Sequence, residues 1–218
     1  MRKIFVPLLV LVGAMLAYAP VMIANGAYES SMGIVSKILY FHAPSGMVML
    51  LSALVCGFAS AIYLWRKDPR ADRVAISAAE LTALFGFIVI ATGPMWARKA
   101  WGIWWDWEAR LTMSFVGWLI SLSYLFVRKY AGPGSDKLAA ALAVFGSVNV
   151  PFIYISVNIW RTLHPKTTVV PSLPPGMRGP FWFCALTLFL LYLLLLTARM
   201  HLERQRAALD ELYLAQED

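Results

Sequence analysis

Apolar residues run along this chain in long blocks, and the charged residues, Glu80 excepted, fall in the short segments between them and in the tails. A helix needs about 20 predominantly apolar residues to cross a bilayer. Six blocks reach that length and predict helices over Ile4–Ala24, Ala43–Trp65, Val74–Trp96, Leu111–Val127, Leu138–Ile159 and Pro180–Ala198. The connecting segments are too short for a soluble domain. The expected fold is an all-α integral membrane protein, a single domain over 1–218 built as a bundle of six transmembrane helices.

Composition agrees: 60% of residues are hydrophobic and 14% are charged, where a soluble domain carries about 25% charge. The basic start "MRK" and the "AYA" at 17–19 imitate a secretory signal. The apolar stretch outruns the roughly 7–15 residues of a signal core, so this block reads as a retained helix.

Lysine and arginine set the orientation. With the N-terminus inside, 12 of the 19 basic residues fall on the inner side, among them Arg2, Lys3, Arg66, Arg70, Arg128 and Arg199. Seven fall outside: Lys37, Arg98, Lys99, Arg110, Arg161, Lys166 and Arg178. The positive-inside rule then places the N- and C-termini in the cytoplasm. Such anchors account for part of the net charge of +7, and nucleic acid need not be invoked as a partner. Cys56 and Cys184 form no CxxC pair. Their predicted depths differ by about 15 Å, beyond the roughly 7 Å between Cα atoms that a disulfide allows.

The third connection, an outer loop at about residues 97–110, contains "WGIWWDWEAR". An aromatic belt at the headgroup level explains Trp65, Trp118, Trp160 and Trp182. It does not explain four tryptophans in seven positions. Trp101, Trp104 and Trp105 have i, i+3, i+4 spacing, which on a helical turn sets three indoles into one apolar plate; Trp107 follows. Asp106 and Glu108 are expected to pair with Arg110 and hold the loop's shape.

Two of the three histidines fall on the same outer side. His42, in "LYFHAPSG", is predicted where the second helix begins, with Pro44 as a first-turn proline. The positive end of the helix dipole there keeps a ring nitrogen free. Ahead of it Met32, Val35 and Leu39 recur on one face of a candidate interfacial helix. His164, in "WRTLHPKT", lies just beyond the fifth helix. His201 sits on the inner side in a solvated helical tail. A planar apolar ring between two imidazoles, beside an indole shelf and near cations for acidic groups, describes haem. Arg98, Lys99, Arg110, Arg161 and Arg178 are the candidates for its propionates.

The segment "TGPMWARKAWGIWWDWEARLT", Thr92 to Thr112, resembles the signature of the CcmC family, haem handlers of bacterial cytochrome c maturation. "LYFHAPSGM" and "WRTLHP" are similar to that family's two histidine segments. The "AR" and "LT" after the tryptophans look like CcmC, whereas cytochrome c synthetases of the CcsA type commonly continue with Pro-Lys-Glu. Glu108 stands where many relatives have Asp, and Ile159 where a second Trp often precedes the Trp160 position. The likeness covers most of the chain. It implies haem b as a transiently bound cargo, with His42 and His164 as axial iron ligands. Trp101, Trp104, Trp105, Trp107 and Arg110 would surround it. It further implies delivery to the haem chaperone CcmE, with CcmD and the ABC transporter subunits CcmA and CcmB as partners in the bacterial inner membrane, and membrane lipid around the spans. The protein would bind and transfer haem rather than act as an enzyme.

Three rivals make different demands. A cytochrome b-like carrier buries its ligands within the spans, and no predicted span has a mid-depth histidine. A haem-free permease subunit needs a polar midplane site, for which only Glu80, Asn149 and Pro151 are at hand. A CcsA-type synthetase needs room for apocytochrome, which the short outer loops do not offer. Glu80, near the inner end of its helix, is assigned a structural or partner-binding role. Asn149 and Asn158 are candidates for bonds between helices. The proline-rich "VVPSLPPGMRGP" reads as a stiff loop over the site.

Overall fold

The computed structural model describes residues 2–217; the side chains of Arg2 and Lys3, counted among the inner basic residues, lie outside that description. Six helices follow one another: α1 (Arg2–Asn25), α2 (Leu39–Arg66), α3 (Pro69–Trp101), α4 (Ala109–Tyr130), α5 (Ser135–Ile159) and α6 (Pro175–Glu217). All six are long and apolar enough to cross a membrane, and no strand occurs among the described residues. A bilayer interior offers no water to backbone groups, so each span closes its hydrogen bonds on itself.

Helices α2 and α6 start earlier than the sequence predicts, and α3 ends later, at Trp101 rather than Trp96. A short 3₁₀ helix over Gly33–Ile38 runs straight into α2, replacing the expected interfacial helix. Helix α2 therefore starts at Leu39, and Pro44 lies inside it rather than in its first turn. Its ring fits helical φ, and the missing N–H removes one hydrogen bond near the helix start. Helix α6 begins at Pro175, five residues before the predicted start, and runs for 43 residues. At 1.5 Å per residue it spans roughly 64 Å, twice the hydrocarbon thickness. The expected helical tail is thus an extension of the last span.

The core is built from small residues where α2 and α3 lie close. Cys56, Ala59, Ala75, Ala78 and Ala79 pack with Tyr124 and Ala143, and Ser52 donates to the Ala78 carbonyl at 2.8 Å. Small residues at such contacts let backbones approach and give van der Waals contact where no hydrophobic driving force acts. A second cluster joins Tyr40, Leu173, Met177, Phe181 and Cys184 beneath the start of α2. The stiff loop before α6 thereby seats on the bundle. Both cysteines are free and buried in different clusters. Helix α1 is peripheral and packs against α6.

Polar pairs tie the helices at the end opposite to His42. Arg128 meets Asp72 through two bonds of 2.7 Å. Tyr63 donates to Asp136. Arg199 grips the Glu80 carboxylate and also reaches Glu203 at 3.0 Å. Glu80 thus joins α3 to α6, in keeping with the structural role expected of it. Asn149 donates across to the Met113 carbonyl at 2.9 Å. Asn158 does not bridge helices; it bonds Thr167 at 3.1 Å and closes the base of the loop after α5.

Candidate functional site

Helix alternation brings the start of α2, the end of α3, the start of α4 and the loop after α5 to one end of the bundle. His42 is the fourth residue of α2. Its Nδ1 lies 2.8 Å from Thr92 Oγ1 on α3, and Thr92 directs its hydroxyl at the Ile88 carbonyl, 2.7 Å away. A hydroxyl has one proton to give, so Nδ1–H donates and Thr92 accepts. The Nε2 of His42 is left with its lone pair free. Gly93 makes room for this ring: a Cβ there would lie 3.3 Å from His42 Cε1.

His164 reaches the same state by another route. Its Nδ1 lies 2.9 Å from the Pro165 carbonyl, which can only accept, so Nδ1 carries the proton and Nε2 is free. Loss of hydration pushes this imidazole down to about 3, with the Arg110 guanidinium adding to the effect and His42 contributing. The ring is neutral at any ordinary pH and available as a ligand. Arg110, the second residue of α4, belongs to this same end of the bundle.

Arg110 is half-buried, and its guanidinium makes one long contact, 3.4 Å to the Ile153 carbonyl. The other outer cations are differently placed. Arg98 donates to the Gly102 carbonyl and lies 6.0 Å from the Trp104 ring centre, closing the end of α3. Arg178 is turned to the Leu173 carbonyl at 2.5 Å. Lys99 and Arg161 are exposed.

The tryptophans do not form the plate expected of them. Helix α3 continues through Trp101, so residues 97–101 are helical, and Gly102 stops it with φ 78°. That left-handed conformation is one glycine adopts at no steric cost. From Gly102 to Glu108 the chain is non-helical, and the i, i+3, i+4 spacing loses its meaning. Trp101 packs edge-on against Trp96, with centroids 5.4 Å apart. Trp105 packs edge-on against Trp107 at 5.8 Å and near Phe115 at 6.1 Å. Trp104 and Trp107 remain 60% and 71% exposed, so two indoles present apolar surface outward. The buried Nε1 of Trp105 has no hydrogen-bond acceptor.

Nor does Glu108 pair with Arg110. Its Oε2 accepts from the Thr162 hydroxyl, from Leu163 N at 2.8 Å and from His164 N at 3.4 Å. The carboxylate finds three donors in the loop after α5, all on Oε2, while its buried Oε1 has none. Among the described residues Asp106 forms no ion pair with Arg110 either. Sequence reading missed Thr92, Gly93 and Thr162 as site residues; the first two lie within the quoted signature, yet nothing local marks them as partners of His42. His201 is exposed on α6, roughly 40 Å along that helix from its start, and takes no part in this end of the bundle.

The chain matches the family described as "CcmC: Heme exporter protein C" over residues 1–214. It is similar to "Heme exporter protein C" of Bradyrhizobium diazoefficiens, 31% identical over 90% of this chain and 80% of that protein. The Escherichia coli K12 protein of the same description is 32% identical over 82% of this chain and 76% of its own length. A "Putative cytochrome c biosynthesis ccmC-like mitochondrial protein" of Marchantia polymorpha is 30% identical over 72% and 66%.

Proposed function

From a chain that belongs to the CcmC family, Heme exporter protein C, we propose a protein that binds haem b between His42 and His164 and hands it to the chaperone CcmE. The chain is a multi-pass inner-membrane protein of haem handling for cytochrome c maturation. One observation above all supports haem binding here. Two histidines at one end of the bundle each commit Nδ1 to an acceptor and leave Nε2 free.

The two free Nε2 atoms would hold the iron of a bound haem. Among the described residues no three His, Cys, Asp or Glu side chains converge as a metal cluster. A metal held here brings its other ligands with it, as iron in a porphyrin does. Arg110, with donors left over, suits a propionate, and the unpartnered Trp105 Nε1 is a second donor in the loop just before it. The exposed faces of Trp104 and Trp107 suit the ring's apolar surface, whose removal from water is worth about 25 cal/mol per Å². Bound haem would supply only an iron that exchanges axial ligands; the chain supplies the two nitrogens, the cation and the shelf. Such a site suits handover, since each Fe–N bond is replaceable by one from a receiving protein.

In this reading the histidine end faces outward and both termini lie in the cytoplasm, because 12 of 19 basic residues belong to the opposite end. CcmD, CcmA and CcmB are the partners proposed within the export system. The test is haem bound per folded protein after replacing single histidines. His42→Ala and His164→Ala should each lose haem or change its spectrum, and His201→Ala should not. Haem loss confined to His201→Ala would reject the site.

A further inference from the structure

We propose, building on the haem-binding reading, that Glu108 is the positioning residue for His164, holding the Thr162–His164 backbone and with it the imidazole at the His42 end of the bundle. Glu108 occupies the N-cap position of α4 with extended backbone, yet its side chain makes no capping bond. A capping side chain ordinarily satisfies an orphan N–H of its own helix. This carboxylate is spent on a loop more than fifty residues away instead.

The bonds form a small relay. Thr162 gives its hydroxyl proton to Glu108 Oε2, and the same hydroxyl oxygen accepts the His164 N–H at 3.0 Å. Leu163 N donates directly at 2.8 Å. The segment from Arg161 to Lys166 has no helix of its own and is closed at its base by the Asn158–Thr167 bond. Charge-assisted bonds to one carboxylate are thus what fixes its crown. Thr92 and Glu108 bracket the tryptophan segment, the first gripping the side chain of His42 and the second the backbone of His164.

The experiment compares E108A and E108Q with H164A in detergent-purified protein. Losing an outer-shell partner of a metal ligand typically costs about 10–100-fold in affinity. E108A should weaken haem retention in that range and take on the absorption spectrum of H164A. Free imidazole should restore the original spectrum by filling the vacated position. E108Q keeps an acceptor without the charge and should fall between. In haem-free protein, amide exchange over 160–166 should rise about tenfold in E108A, with α3 unchanged. If E108A does not accumulate, E108Q carries both measurements. Wild-type spectrum and wild-type exchange in these variants would overturn the assignment. If H164A itself leaves the haem spectrum unchanged, the haem-binding reading fails, and the exchange measurement still decides for or against Glu108.

Discussion

His42 Nδ1 and Thr92 Oγ1 stand 2.8 Å apart, fifty positions distant in the chain, with the Thr92 hydroxyl already given to Ile88. The direction of that bond decides which imidazole nitrogen is exposed. The His164–Pro165 contact decides it the same way through a carbonyl. Two unlike acceptors, one on a helix and one in a loop, thereby present two identical ligand atoms.

Thr92→Val keeps the shape and removes the acceptor. The His42 N–H is then left without a partner, at a cost of about 1–3 kcal/mol, and the ring is free to turn or to change tautomer. Haem affinity should fall about 10–100-fold, while Thr92→Ser, which retains a hydroxyl, stays near the original. Titration of haem by absorbance checks this, and unchanged affinity in the valine variant would remove Thr92 from the site.

Gly93→Ala tests the contact on the other side of the same ring. The new Cβ would lie 3.3 Å from His42 Cε1, so the imidazole must shift by a few tenths of an ångström. Gly46 is the control, since a Cβ there meets only Val89 Cγ2 at 3.8 Å. G93A should alter the haem spectrum with insertion intact, and G46A should not. Identical spectra for the two would show the ring to be loosely held.

The pH dependence of the His164 loop follows from its neutral ring. The closed loop holds the imidazole down to about 3, whereas the opened loop returns it to the ordinary value near 6.5. Between those values the open form binds the extra proton. The stability of the closed form is therefore fully present above about pH 6.5 and declines as pH falls towards 3. Amide exchange over 160–166 in haem-free protein should accelerate through that window. His164→Gln should abolish the acceleration; its persistence in that variant would assign it to another group.

Glu80 and Arg199 make a separable prediction at the other end. Their side chains are about a third exposed, so a double-mutant cycle should give a coupling of about 1 kcal/mol, reduced by salt. Neither Glu80→Gln nor Arg199→Gln should change haem retention, because both lie on the far side of the bundle. A haem defect without loss of folded protein would connect the two ends.

The sequence by itself determined the spans, the end at which His42, His164 and the tryptophans collect, and the family. Runs of apolar residues are a local property, and a bilayer leaves the backbone of each run no choice but helix. Alternation of helices then assigns every connection to one end or the other. The same locality explains what was misplaced. Trp101, Trp104 and Trp105 carry helical spacing, but the turn is stopped by one glycine with positive φ. Pro44 imitates a helix start, but the preceding 3₁₀ helix had already opened α2. Glu108 is two positions from Arg110, yet its partners lie fifty-four to fifty-six residues away. Thr92, Gly93 and Glu108 act only through atoms that the tertiary structure delivers to them. A hydrogen bond needs its partners within about 3 Å and suitably directed, and no periodicity along a chain specifies such a meeting.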